Sequence, residues 1–129
     1  GILILDCRDH AEWVAISSSP YGLDFTPRKG RIPNAVWLEW YNAMHYKNHI
    51  PWFKEPEELK KVFAGVGINE DSNVYVYCFK GARTSNTYMA MKMAGIKKVR
   101  NYLGSWNEWS RDFSLPIERG YPRSKKNNS

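Results

Sequence analysis

The sequence predicts an α/β domain, a mainly parallel sheet of about five strands with helices on both faces. Three observations carry this. Short runs of strand length alternate with segments of helical spacing along the chain. The first run is continuously apolar, as in a strand covered on both faces. Proline and glycine stand where helices should start and stop. At 129 residues, 43% apolar and 25% charged, the chain is long enough to bury one proper core and too short for two. The domain is expected over 1–122. A polar, basic tail without fixed structure is expected over 123–129, where Arg123, Lys125 and Lys126 cluster.

Residues 2–5, Ile-Leu-Ile-Leu, form the first strand. "DCRDHAEW" after it opens a polar turn and a helix. From Ser17 to Arg31 the composition changes to Ser, Pro, Gly and charge, which marks a long surface loop. "AVWLEW" (35–40) reads as the next strand. Pro56, at a first helical position, with Glu57, Glu58, Leu59, Val62 and Phe63, starts a helix that Gly65 and Gly67 end. Residues 74–77 form a clear strand. Beyond the loop that follows, Tyr88 with Met91 and Met89 with Met93 give helical spacing, and Gly95 supplies the stop. Residues 98–102 are a further strand and "GSWNEWSRD" a short helix.

A net charge of +6, with 19 aromatic residues beside 19 Lys and Arg, raises the question of nucleic acid. The aromatic residues sit inside apolar runs and no RNA-binding signature is present, so no nucleic-acid partner is expected. No stretch of about 18 apolar residues exists to span a membrane, and nothing reads as a secretory signal. The two cysteines, Cys7 and Cys78, are too few for a disulfide framework or a cysteine zinc site, which suits a reducing, cytoplasmic location. His45 and His49 have the i, i+4 spacing of a helical metal pair. Pro51 is close and no third ligand follows, so no metal site is expected.

The chemistry concentrates in "CFKGARTS" (78–85). Cys78 follows a strand directly, and in parallel α/β sheets the reactive loops lie at the carboxyl ends of the strands. Phe79, Lys80, Gly81, Ala82 and Arg83 lead into a helix whose first turn, Thr84, Ser85, Asn86 and Thr87, is rich in capping residues. A loop curled with its N–H groups inward forms an anion-binding nest, strengthened by the positive end of the helix. Gly81 permits that twist. Lys80 and Arg83 add full charges, and all of these favour thiolate over thiol at Cys78. Cys7, between Asp6 and Arg8, reads instead as a small apolar filler.

With these residues in place the sequence resembles the rhodanese family of sulfurtransferases, whose active-site loop has the pattern Cys-x-x-Gly-x-Arg-Ser/Thr. "LILDCRD" is similar to the family's first strand and its Asp-x-Arg. "KGRIPNAVWLEW" resembles its Gly-His-Ile-Pro-Gly-Ala followed by an apolar strand. "VRNYLGSWNEWS" with "LPIERG" resembles the end of the catalytic domain in tandem thiosulfate sulfurtransferases. The resemblance runs through nearly the whole chain and implies a rhodanese-like catalytic domain, with a second rhodanese domain expected upstream of the abrupt start at Gly1.

That resemblance implies a sulfur shuttle. The Cys78 thiolate takes the outer sulfur of thiosulfate, sulfite leaves, and the persulfide passes its sulfur to cyanide or a thiol acceptor, with no metal or organic cofactor. Phe79, Lys80, Gly81, Ala82, Arg83 and Thr84 form the substrate-binding and persulfide-stabilising loop. In tandem members Lys at the position of Lys80 goes with thiosulfate, whereas Gly-Ser-Gly after the cysteine goes with 3-mercaptopyruvate. Departures are Arg83 where many tandem enzymes have Thr, Glu12 where some carry a substrate-binding Arg, and Arg31 and Asn34 in place of His and Gly. The competing readings are a 3-mercaptopyruvate sulfurtransferase, a persulfide carrier, a phosphatase or arsenate reductase of the same fold, and a regulatory module without catalysis. Relatives acting on phosphate use Cys-x5-Arg; four residues separate Cys78 from Arg83, a narrower nest that suits sulfur. Regulatory modules typically lack the cysteine.

Asp6 and Arg8 could orient the site, though such pairs more often hold loops together. Arg31 either reaches substrate or is a solvated loop cation. Trp106 and Trp109, three apart on a short helix, read as core, with Glu108 facing solvent.

Overall fold

Four aliphatic residues and an aspartate, Ile2–Asp6, form strand β1, an inner strand of the main sheet. The computed structural model describes residues 1–19, 22–24, 26–47, 50–79, 82–102 and 104–120, so the tail expected over 123–129 lies outside the described residues. The polar turn after β1 leads into helix α1, His10–Trp13, started by a capping box in which Asp9 accepts from the Glu12 N–H and the Glu12 carboxylate accepts from Asp9 N–H.

Strand β2 is only Val36–Trp37. The sequence predicts a strand over 35–40, but the chain turns into a 3-10 segment, Trp40–Ala43. An antiparallel hairpin follows, strand β3 Met44–Lys47 against β4 Ile50–Phe53, which the sequence reading did not include. Helix α2, Pro56–Ala64, has its proline at the first helical position, buries Leu59 and Phe63 on one face, and is capped by Gly65. Strand β5, Asn73–Tyr77, leads to helix α3, Ala82–Met93, then strand β6, Lys98–Asn101, and helix α4, Ser105–Trp109.

Among the described residues the main sheet has four strands in the order β2-β1-β5-β6 with parallel neighbours throughout, where the sequence predicts about five. One core lies between the sheet, α2 and α3. Leu5, Val74 and Val76 meet Leu59, Phe63, Ala90, Met91 and Ala94 there. On α3 the buried residues are Thr84, Thr87, Ala90 and Met91, followed by Ala94 just past its end, whereas Met89 and Met93 face outward. The second face carries Tyr77 and Ile32 against Trp106 of α4, with Tyr102, Trp109 and Ile117 at its margin. Continuous apolar sequence in β1 follows from this two-sided burial.

The loop over 17–31 is more enclosed than its polar composition suggests, since Ser18, Ser19, Thr26 and Arg31 are buried. Arg28 explains part of this: its guanidinium donates to the carbonyls of Trp109, Ser110, Asp112 and Leu115, gathering the end of α4. At Gly30 (φ 142°) a Cβ would lie 2.5 Å from the Glu118 carbonyl oxygen, so only glycine fits beside the Arg31–Glu118 bridge. Among the described residues no helix is long and apolar enough to cross a membrane.

Candidate active site

Parallel pairing sets the site. Asp6 on β1 stands opposite Tyr77 on β5, so the carboxyl ends of the two inner strands bring Cys7 beside Cys78. Cys78 is 1% exposed. Its N–H donates to Ser105 Oγ at 3.0 Å, and its carbonyl accepts from the Trp106 N–H at 2.9 Å. The Phe79 carbonyl accepts from Asn107 N–H at 2.9 Å. The start of α4 therefore holds both residues that open the reactive loop, and Ser105 passes the constraint on by donating to the Tyr102 carbonyl at 2.7 Å. Nothing in the sequence singled out Ser105, whose partner lies 27 residues away.

Phe79 is buried. Lys80 and Gly81 lie outside the described residues, and Ala82 and Arg83 are described only as the first backbone positions of α3. Thr84 is buried and its hydroxyl donates to Asn101 Oδ1 at 2.6 Å, tying the first turn of α3 to the end of β6.

Asp6 and Arg8 form a fully buried ion pair at 2.7 Å. Arg8 Nε donates to both carboxylate oxygens, Nη2 donates to Asp6 and to the Gly30 carbonyl, and the backbone N–H of Arg8 donates to Asp6 Oδ1. Tyr77 adds its hydroxyl to Asp6 Oδ2 at 2.6 Å and accepts from Ile32 N–H at 3.1 Å. The guanidinium lies over the Trp106 ring, 4.7 Å from its centre. Burial works against the arginine charge, but the Asp6 carboxylate and the other anionic groups around it outweigh this and hold its pKa above the ordinary arginine range. The network joins β1, β5, the loop before Ile32 and α4 beneath the site.

Arg31 is neither a solvated cation nor open to solvent. It is 3% exposed, donates to the carbonyls of Trp13 and Gly120, sits over the Trp13 ring and pairs with Glu118 at 3.7 Å. His45 lies on β3, not on a helix, and its ring contacts Glu58 at 3.1 Å, which holds the Glu58 carboxyl below its usual range; His49 lies outside the described residues. Trp106 is buried, Trp109 is half-buried with its N–H donating to the Pro116 carbonyl, and Glu108 is exposed.

Cys7 is fully buried in the core cluster, where the sequence expects a small apolar filler. Its thiol donates to the Tyr77 carbonyl at 3.3 Å, and the parallel register of Asp6 with Tyr77 sets it beside Cys78 in the same core cluster. Neither cysteine is in a disulfide. Burial, the Cys78 sulfur and the Asp6 carboxylate push the Cys7 pKa well up, with the Thr87 hydroxyl opposing them.

The geometry gives a thiol at a strand-to-helix junction whose flanking backbone is fixed from the side. Comparison with known proteins agrees with the fold. A thiosulfate sulfurtransferase of Corynebacterium glutamicum is 33% identical over 131 residues, covering 99% of this chain and 41% of that protein. The sulfur carrier protein TtuD of Thermus thermophilus is 36% identical over 94 residues, covering 72% of this chain and 32% of that one. The chain thus spans less than half the length of these relatives. A structure of EanB, in which ergothioneine is covalently linked with a persulfide cysteine, superposes with a TM-score of 0.80 at 27% identity, covering 94% of this chain and 29% of that one. The rhodanese-like domain family matches residues 1–112, and the chain belongs to that family.

Proposed function

We propose that this protein is a sulfurtransferase that carries sulfur as a persulfide on Cys78, with thiosulfate as donor and cyanide or a thiol as acceptor. The observation that carries the reading is Cys78 itself, the first residue of "CFKGAR", enclosed at the end of β5 with its N–H and carbonyl held by α4. The relatives named as a thiosulfate sulfurtransferase and a sulfur carrier support it.

In the first half-reaction the Cys78 thiolate attacks the outer sulfur of thiosulfate. The S–S bond of thiosulfate breaks, sulfite leaves with the bonding pair, and the persulfide anion remains. In the second, a thiophile attacks the outer sulfur and Cys78 leaves as thiolate, so cyanide yields thiocyanate. Covalent chemistry in two steps predicts ping-pong kinetics. Lys80 and Arg83 are proposed to hold the anionic ends of donor and persulfide, with the loop N–H groups and the positive end of α3. The four-residue spacing between Cys78 and Arg83 disfavours the phosphatase reading.

Treatment with thiosulfate should add one sulfur to the intact mass, removable by cyanide and absent in Cys78→Ser. Label on Cys7 rather than Cys78, or aryl phosphate turnover comparable to thiocyanate formation, would replace this reading.

A further inference from the structure

Two thiols side by side at the end of one sheet call for a role for the second. The Asp6–Tyr77 pair is in parallel register, and the Cys7 N–H donates to the Tyr77 carbonyl at 3.0 Å, so pairing continues to the cysteines that follow. Parallel neighbours stand about 4.8 Å apart, inside the roughly 4.4–6.8 Å between Cα atoms that a disulfide requires. Both side chains lie in the core cluster against α2 and α3. Cys7 is 0% exposed and lies beside the residue proposed to carry sulfur.

A second observation concerns Thr87. Its hydroxyl is buried, makes no hydrogen bond of ordinary geometry among the described residues, and lies close enough to Cys7 to favour its thiolate. Buried hydroxyls without partners are costly. One placed beside a thiol is a donor ready for the sulfur when it becomes anionic.

We propose that Cys7 is the resolving thiol of Cys78: its sulfur attacks Cys78 Sγ of the persulfide, the outer sulfur leaves as hydrosulfide, and a Cys7–Cys78 disulfide remains. The inference rests on the persulfide reading above. The bond formed is Sγ–Sγ and the bond broken is that between Cys78 Sγ and the outer sulfur. The proton of Cys7 leaves with the departing sulfide. The two cysteine sulfurs together lose the two electrons that the outer sulfur gains, so no external oxidant enters. A dithiol reductant then returns both cysteines to thiols and is itself oxidised to a disulfide. The protein thereby releases sulfide at the expense of a dithiol, beside any transfer to an external thiophile.

Cys78 Sγ is the sulfur that Cys7 is placed to attack, because it stays where the reduced thiol lies. Proximity compensates for the small thiolate fraction of Cys7. The groups facing Cys7 are the Asp6 carboxylate from β1, Cys78 from the end of β5 and the neutral Thr87 hydroxyl from α3, so resolution accelerates with pH as Cys7 ionises.

The test loads wild type, Cys7→Ser and Cys7→Ala with inorganic polysulfide without oxygen, removes the reagent, and follows acid-quenched intact mass and released hydrosulfide. In wild type the species heavier by one sulfur should give way to one lighter than the reduced chain by a pair of hydrogens. An equal amount of hydrosulfide should appear, and peptide mapping should join Cys7 to Cys78. Both variants should keep the persulfide at least roughly tenfold longer. Should either variant misfold, the wild-type peptide map still decides. Wild type holding its sulfur with no internal disulfide, a disulfide formed only between chains, or no persulfide on Cys78 at all overturns the inference. A parallel arm with thiosulfate separates the two readings. Loading by polysulfide alone, followed by internal disulfide, removes thiosulfate as donor and leaves resolution standing, whereas loading by both without the disulfide removes resolution alone.

Discussion

Tyr77 shows how a residue outside the reactive loop sets its geometry. It immediately precedes Cys78 but turns to the other face of the sheet, where its hydroxyl donates to Asp6 and accepts from Ile32 N–H. Burial first, and then the neighbouring Asp6 carboxylate, push its pKa well above 10.0, against the opposing Arg8 charge and Ile32 N–H. A raised folded-state pKa means stability that is complete below the unfolded value and is lost as pH rises beyond it, because the unfolded chain releases a proton that the folded chain retains. Tyr77→Phe should therefore be less stable than wild type by about 1–2 kcal/mol at neutral pH. That gap should narrow above about pH 10. Cys7, whose pKa is also raised, weakens both proteins alike at high pH and drops out of the difference. Denaturant unfolding across pH measures this, and a gap independent of pH would mean that the tyrosine proton is not held by the fold.

At the scale of elements, the short helix α4 acts as a clamp. Ser105 accepts from Cys78 N–H and donates to the Tyr102 carbonyl, and it does so with a left-handed backbone at φ 49°. Ser105→Ala leaves the buried Cys78 N–H unpaired, while the Tyr102 carbonyl keeps the Ser105 backbone N–H, so a stability loss of about 1–3 kcal/mol is expected. On the proposed reading Ser105 acts by positioning the Cys78 backbone, so thiocyanate formation should slow through kcat more than through KM. Unchanged kinetics beside the full stability loss would mean that the clamp serves folding alone. This contact was not legible in the sequence, and the reason is physical. Elements declared by local chemistry were legible: the apolar run of β1, Pro56 and Gly65 around α2, Gly95 after α3, and the placement of Cys78 at a strand's end. Roles set by partners far along the chain were not. Cys7 meets Cys78, Arg28 reaches the end of α4, and Arg31 reaches Glu118, each across dozens of residues. The hairpin of β3 and β4 was missed because "MHYKNHIPWF" lacks clean alternation and its histidines mimic helical spacing, while the strand expected over 35–40 is cut short by the turn at Trp40.

The whole molecule adds a long-range term. The chain carries a formal net charge of +6, and the proposed donor, thiosulfate, is a dianion, so encounter should be assisted before any contact forms. Exposed charges are screened over about 10 Å at 0.1 M salt. The kcat/KM for thiosulfate should fall severalfold, within about tenfold, as ionic strength rises from roughly 10 mM to roughly 300 mM. Alkylation of Cys78 by iodoacetamide, a neutral reagent, should change far less over the same range. Running the series in both chloride and gluconate separates screening from competition by a particular anion, since screening follows ionic strength and competition follows the ion. A thiosulfate rate that stays flat in both salts would show that the net charge contributes nothing to capture and that the loop acts only at contact. A parallel fall in alkylation would instead locate the salt effect in the reactivity of Cys78 itself.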